Sequence, residues 1–240
     1  MRAARASDYK RAVPDLAVVC DFDGTATILD VGDEISKRFG GRAHFEAQKA
    51  LFARGELTTR GIIEGIYAQV HATEAEVCAF AVEAAQLRPG FAELLRAARD
   101  RGAPFFLASG GLRQYIDAVL AAQLSEDLRA HVQVRANEGV FGPEGLTVSF
   151  PGEEASRLAG CEACGSCKRV SIAEARRSAA DFVVGLGDGF ADRCLVQFAD
   201  RTFARRNSYL HRYCLEHHLP HTPFTELYEA AEAVRGHGAC

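Results

Sequence analysis

No apolar run in this chain approaches the roughly 20 residues that a membrane span requires. The first 14 residues are basic, but the only apolar stretch behind them, Leu16 to Cys20, is too short for the core of a secretion signal. It also runs straight into acidic residues. A soluble, cytoplasmic protein with no membrane partner is therefore expected. The chain lacks a dominant charge sign as well: 28 Lys and Arg face 32 Asp and Glu, a net charge of −4. That balance excludes a general electrostatic grip on nucleic acid, which needs a concentrated basic surface. Internal repeats and low-complexity tracts are absent. Eight cysteines in 240 residues are too sparse for a disulfide-stapled secreted scaffold and point to a reducing compartment. What is present is enough chain, 48% of it apolar, for one generous domain or one domain with a smaller insert. Nothing in the sequence fixes an oligomeric state.

Three short apolar runs each end in a polar or glycine-rich cluster. They are Leu16–Cys20 before Asp21, Pro104–Ala108 before Ser109, and Phe182–Leu186 before Gly187-Asp188. Apolar runs without alternation suit strands buried on both faces of a parallel sheet. Helical patterns lie between them: Leu112, Tyr115, Ile116, Val119 and Leu120 share one helix face. Ser171 with Glu174, and Thr73 with Glu76, have capping-box spacing. The alternation predicts a doubly wound α/β core. From Asp30 to Arg88 the pattern is helical, broken at Gly40-Gly41, Gly55 and His71-Ala72. This predicts an insert of about four helices spanning 30–88, with the core in 1–29 and 89–240. Alternation between Val132 and Phe150 predicts a β-hairpin or flap near 132–150.

Ligands of open parallel sheets sit beyond the carboxyl ends of the strands. Here those ends carry Asp21-Phe-Asp23-Gly-Thr25, Ser109-Gly110-Gly111 and Gly187-Asp188-Gly-Phe-Ala-Asp192. Each alone has a bland reading as a turn or a helix cap; three in order, each behind an apolar run, do not. Asp21, Asp23, Asp188 and Asp192 would crowd one crevice with negative charge, which calls for a cation, and hard oxygen ligands favour Mg²⁺. A Ser-Gly-Gly turn opening a helix offers a hydroxyl and backbone amides to an anion. Lys168 is placed in the sequence to offset charge on a transferring group. The sum is chemistry on a phosphate ester.

This set, over nearly the whole chain, resembles the four motifs of the haloacid dehalogenase superfamily. The helical insert is similar to the cap of its phosphoserine-phosphatase-like branch. The resemblance implies a Rossmann-like α/β core with a parallel sheet and an inserted α-helical cap. It also implies a Mg²⁺-dependent phosphomonoesterase acting on a small phosphorylated metabolite. Asp21 is then the nucleophile that forms an aspartyl-phosphate. Asp23 is the acid that protonates the leaving alkoxide and then the base that activates water. Asp21, Asp23 through its backbone carbonyl, and Asp188 become metal ligands, with Asp192 supporting the metal or Lys168. Ser109, the Gly110 amide and Lys168 bind phosphate oxygens. The second aspartate separates the superfamily's phosphatases from its dehalogenases.

The block Cys161-Glu-Ala-Cys164-Gly-Ser-Cys167-Lys168 is similar to the segment leading into the lysine of the superfamily's methionine-salvage phosphatases, and so are Phe203-Ala204-Arg205, Tyr209-Leu210 and Pro223-Phe224 in the tail. That resemblance implies the enol-phosphate 2-hydroxy-3-keto-5-methylthiopentenyl-1-phosphate as substrate. The alternative is phosphoserine or another small phosphometabolite. Phosphoserine phosphatases carry a cap arginine that aligns near Ile63, where this chain has no cation; Arg54 or Arg60 are the nearby substitutes. Phosphotransfer to an acceptor other than water is a third outcome of the same intermediate. A non-catalytic metal- or redox-sensing protein on this scaffold is the reading from another class. It would use Cys161, Cys164 and Cys167, with a fourth ligand from Cys20, Cys194 or a histidine. Reduced thiols in a tight turn are the plainer expectation there. Solvated positions are the plainer expectation for His211, His217, His218 and His221, and a solvated or salt-bridged edge for Arg201, Arg205 and Arg206.

Overall fold

The computed structural model describes residues 15–161, 166–178 and 180–238. The basic opening segment, Cys164 and Cys240 lie outside the described residues. Seven strands form one sheet: β1 Leu16–Cys20, β2 Phe105–Leu112, β3 Val132–Gly142, β4 Gly145–Ser149, β5 Phe182–Gly187, β6 Arg201–Arg205 and β7 Thr222–Phe224. Their order is β4-β3-β2-β1-β5-β6-β7, and every neighbouring pair is parallel except β3 with β4. This is the Rossmann-like α/β fold expected from the three apolar runs. Every residue of β1, at the centre, is fully buried. Its side chains alternate between two faces: Leu16, Val18 and Cys20 join one apolar cluster, while Ala17 and Val19 join the other.

Helices α1 Val31–Ile35, α2 Arg42–Ala53, α3 Thr59–Tyr67 and α4 Glu74–Ala84 follow β1. Between Val31 and Ala84 the described chain forms no strand, and its helices are interrupted at Gly40-Gly41, Gly55 and His71-Ala72. Helix α5 Phe91–Asp100 precedes β2, and α6 Arg113–Gln123 with α7 Glu126–Arg129 follows it. Helix α8 Glu153–Leu158 and α9 Lys168–Arg177 lead to β5. Then come α10 Arg193–Phe198, α11 Tyr209–Glu216 and α12 Tyr228–Arg235. The layers follow from the alternation. Phe91, Leu94 and Leu95 of α5, Ile116 and Val119 of α6, and Ala230, Ala231 and Val234 of α12 cover one face. Ile172 and Ala175 of α9 and Leu195 of α10 cover the other.

Three details differ from the sequence pattern, each for a physical reason. Ser171 lies inside α9 and is buried, so it caps nothing. The helix starts three residues earlier, at Lys168, and Glu174 pairs with Arg135 at 3.0 Å. The Thr73–Glu76 capping box does form. The Ser109-Gly110-Gly111 turn does not itself open a helix. β2 continues through it to Leu112 with a register shift after Ala108, and α6 begins at Arg113. The segment 132–150 is a hairpin, as expected, but the first half of β3 also pairs in parallel with β2, so the hairpin extends the main sheet.

The helical block leaves and re-enters the core at one place. Thr27 bridges Leu87, the Ile28 amide donates to Gln86 O at 2.9 Å, and the Arg88 amide donates to Ala26 O at 2.7 Å. The buried Arg88 guanidinium ties this seam together. It donates to the carbonyls of Thr25 and Gly24, both at 2.7 Å, of Thr27 at 2.9 Å and of Thr225 at 3.1 Å. Removing it strands several buried acceptors, each costing about 1–3 kcal/mol less whatever water recovers. Arg88→Met is therefore expected to lower stability by about 3 kcal/mol in urea denaturation. Loss of the exposed Arg96–Glu93 pair by Arg96→Ala is expected to change it by less than about 0.5 kcal/mol. Equal effects would contradict the role given to Arg88.

Candidate active site

Because β1, β2 and β5 are adjacent and parallel, their carboxyl ends lie side by side, and the three motif loops meet at one edge of the sheet. Asp21 follows β1 directly. Behind it the chain winds through a wide turn in which the Ala26 amide donates to Asp21 O and the Thr27 amide to Phe22 O. Gly24 in this turn has φ +76°, and a Cβ there would lie 2.7 Å from Asp188 Oδ2, so the position admits glycine alone. The close approach brings Thr25 Oγ1 to donate to Asp188 Oδ1 at 2.9 Å.

Lys168, the first residue of α9, is 3% exposed and sits between two carboxylates: its Nζ lies 2.9 Å from Asp21 Oδ1 and 3.0 Å from Asp192 Oδ1. Burial alone would lower the pKa of this lysine, but Asp192 and Asp21 outweigh it and hold the ammonium well above its ordinary value. Asp192 is also tied to its own loop, Oδ2 accepting from the amides of Asp188 at 2.9 Å and Gly189 at 2.7 Å. Burial first, then the charge of Asp192, pushes the Asp21 carboxyl well above the usual range against the pull of Lys168. Burial and Asp192 likewise raise Asp188, opposed by Arg205, whose Nη2 is 2.9 Å from Asp188 Oδ2.

Carboxylate oxygens of Asp21, Asp188 and Asp192 all lie within 4.8 Å of one another. A crowded, mostly buried set of hard oxygen donors, each with an electrostatic cost that a cation offsets, fits a divalent metal such as Mg²⁺. The Asp23 carboxylate is not in that group. It turns toward neutral donors: Val31 and Gly32 amides to Oδ1 at 3.0 and 3.3 Å, and the Tyr115 and Ser109 hydroxyls to Oδ2 at 2.7 and 3.2 Å. Burial pushes its pKa up to about 6, although all four hydrogen bonds pull the other way. Ser109 Oγ in turn accepts from the Gly111 amide at 2.8 Å, and the Asn137 side-chain amide donates to the Gly110 carbonyl at 2.8 Å, which fixes the turn.

These residues open into a cleft of about 870 Å³, measured out to its mouth. Asp21, Asp23, Ser109, Gly110, Lys168, Asp188 and Asp192 all line it, so the structure brings the sequence-derived set together. The opposite wall comes from the helical block: Phe52, Ile62, Ile63, Ile66 and Tyr67. Ile63 faces the Ser109 turn, its Cδ1 lying 3.2 Å from where a Gly110 Cβ would stand. Arg54 and Arg60 do not line the cleft. Arg54 pairs with Glu56, and Arg60 with Glu64 and Glu153. The cation that the block does contribute is Lys49, 3.2 Å from Asp33.

Sequence patterning missed the Tyr115 hydroxyl, since Tyr115 reads as one more apolar position of α6; of the arginines read as a solvated or salt-bridged edge, Arg205 is salt-bridged, to Asp188 of the site. Of the aromatics in the helical block, Phe52 and the buried Tyr67 line the cleft, while Phe45 is buried and Phe80 packs edge-on against Phe39 at 5.6 Å. Hydrogen bonding from Cys194, then from the Arg169 amide and Cys161, overcomes burial and holds the Cys167 thiol down at about 5, so Cys194 is the cysteine beside the triplet's last member. Of the histidines, His211 accepts from the Asn207 amide and lies against His221, while His217 packs on Tyr213.

A Rossmann-like sheet whose strand ends gather acidic motifs, a buried lysine and a serine turn defines a phosphatase. The chain belongs to the haloacid dehalogenase-like hydrolase family, whose model matches residues 18–197. It is 28% identical over 222 residues to a 2-hydroxy-3-keto-5-methylthiopentenyl-1-phosphate phosphatase from Bacillus thuringiensis (strain Al Hakam), covering 92% of this chain and 96% of that protein. The identity is 27% to the protein of the same name from Exiguobacterium sibiricum, with the same coverage. Among solved structures, a substrate-bound phosphoserine phosphatase complex superposes with a TM-score of 0.66 at 16% identity, over 91% of this chain and 97% of that one. A phosphoserine phosphohydrolase-like protein from Francisella tularensis gives 0.64 at 18%, over 90% and 98%. These structures share the fold.

The environment of Asp23 has a consequence for stability. A carboxyl whose folded-state pKa is raised to about 6 binds its proton more tightly folded than unfolded. Its contribution is therefore full below pH ~4 and lost as pH rises through about 6. Asp23→Asn keeps the shape and removes the buried charge. In EDTA the variant is expected to be more stable than the parent at pH 8, by at most about 3 kcal/mol, and to lose that advantage by pH ~4. Thermal unfolding at both pH values checks this; an advantage unchanged by pH would refute it.

Proposed function

We propose that the protein is a phosphomonoesterase in which the Asp21 carboxylate attacks phosphorus and forms an aspartyl-phosphate. The bond from phosphorus to the substrate oxygen breaks, and Asp23 passes its proton to that leaving oxygen. Water then attacks the aspartyl-phosphate while Asp23 takes a proton from it, releasing phosphate and restoring Asp21. Lys168 stays charged throughout, because two carboxylates flank it, and offsets charge on the phosphoryl group beside Asp21. Ser109 and the Gly110 amide hold phosphate oxygens. Mg²⁺ held by Asp21, Asp188 and the Asp23 backbone carbonyl, with Asp192 bracing Lys168, would supply charge neutralisation between carboxylates and phosphate. Residues 30–88 serve as the cap over a core of 1–29 and 89–240.

The observation that carries this reading is Lys168 within 3.0 Å of both Asp21 and Asp192, at the edge where the Ser109 turn also ends. A pure binding protein has no use for that combination with a separate, raised-pKa carboxyl. The substrate we infer is 2-hydroxy-3-keto-5-methylthiopentenyl-1-phosphate. Relatives carrying that name align over nearly the whole chain, and the cleft wall of Ile62, Ile63, Ile66 and Phe52 suits an apolar thioether tail. Phosphoserine is the second reading. Lys49 and Asp33 offer the opposite charges that an amino acid seeks, but they already pair with each other, and Ile63 faces the phosphate turn.

The test is phosphate release from the enol-phosphate, generated in situ, and from phosphoserine, with Mg²⁺ and with EDTA. Turnover of the enol-phosphate that needs Mg²⁺ and is abolished by Asp21→Asn is expected; turnover that survives Asp21→Asn would overturn the mechanism. Ile63→Arg should move the kcat/KM ratio toward phosphoserine by about tenfold or more, since it places a guanidinium in an apolar wall. An unchanged ratio would remove the wall from the specificity argument.

A further inference from the structure

Asp23 Oδ2 receives its shortest hydrogen bond, 2.7 Å, from the Tyr115 hydroxyl, and Tyr115 is fully buried. Beside it, at the end of α3 in the helical block, lies Tyr67, 2% exposed. A phenol has one proton, and Tyr115 gives its own to Asp23.

The surroundings are shaped for the two phenols. A Cβ on Gly32 would stand 2.7 Å from the Tyr67 hydroxyl and 3.1 Å from the Tyr115 hydroxyl, and a Cβ on Gly111 would overlap the Tyr115 hydroxyl outright. Two glycines, one in α1 and one in β2, thus leave room for them. The end of α3 that carries Tyr67 is itself pinned: Ser36 Oγ donates to Ile66 O at 2.6 Å, and the His44 ring bonds Gly65 O at 2.8 Å. With Val31 and Gly32 amides on Oδ1, the Asp23 carboxylate is held at both oxygens and has one orientation available.

We propose that Tyr115 is the positioning residue for Asp23, its hydroxyl setting the aim of the acid. This rests on the reading of Asp23 as proton donor to the leaving group. General acid catalysis depends steeply on the placement of the proton.

The experiment measures kcat/KM on substituted phenyl phosphates, from p-nitrophenyl to p-methoxyphenyl, for the parent, Tyr115→Phe, Tyr67→Phe and Asp23→Asn. This parameter covers steps up to phosphoenzyme formation, where the leaving oxygen needs its proton. Tyr115→Phe is expected to lose about tenfold or more on the p-methoxyphenyl ester and less than about threefold on the p-nitrophenyl ester, whose leaving group departs unprotonated. Tyr67→Phe, which leaves every hydrogen bond to Asp23 in place, is expected to change all esters by the same factor. Equal losses on all esters for Tyr115→Phe, or a leaving-group dependence for Tyr67→Phe as large as that of Tyr115→Phe, would reduce Tyr115 to packing and overturn the proposal. If Asp23→Asn itself shows no dependence on the leaving group, the acid assignment is what has failed, and the tyrosine proposal falls with it.

Discussion

The buried ammonium of Lys168 is the constraint that orders the rest of the site. A lysine 3% exposed is tolerable only with its charge matched, and Asp21 and Asp192 do this from two different loops. The match dictates where α9 begins. It also fixes the Gly187–Asp192 loop, since Asp192 reaches Lys168 with one oxygen while the other gathers the Asp188 and Gly189 amides. Asp188 is left facing the β1 turn, where Thr25 and Arg205 hold it. One cation thereby sets the relative positions of two strand ends, those of β1 and β5, which no single hydrogen bond between the loops would achieve.

Chemistry and selectivity come from different parts of the chain. The core supplies the charged groups at the sheet edge, and the helical block supplies the apolar wall of the cleft opposite them. Neither half of the cleft is a site alone: without the wall the carboxylates face water, and without the sheet edge the wall is a hydrophobic patch. That division explains why fold similarity to phosphoserine phosphatases says little about substrate. The Arg88 seam matters for the same reason, because it sets how the two halves meet.

The strands that hold the site were legible in the sequence because burial on both sheet faces writes itself as an unbroken apolar run, and β1, β2 and β5 are the runs. β6 and β7 were not legible. Arg201–Arg205 has charged ends, and Thr222–Phe224 is three residues with a central proline, so both depend on an existing sheet edge to form. Asp21, Asp23, Ser109, Lys168, Asp188 and Asp192 were legible because their types and order carry a chemical demand. Tyr115 was not, since periodicity reports only that a face is buried, and the hydroxyl is the part that matters. Arg88 was invisible for a related reason: its partners are backbone carbonyls, which leave no trace in side-chain patterns. Ser171 misled because capping-box spacing recurs by chance inside helices.

The deepest feature of the site is that two carboxylates on one turn, separated by a single phenylalanine, are given different work by their surroundings. Asp21 meets the Lys168 ammonium and the acids Asp188 and Asp192, a field suited to a carboxylate that attacks phosphorus beside cations. Asp23 meets no ionic partner, only hydroxyls and amides. Burial outweighs these neutral donors, and the proton is kept to about pH 6. A group that holds a proton near neutrality gives and takes it with little driving force lost either way.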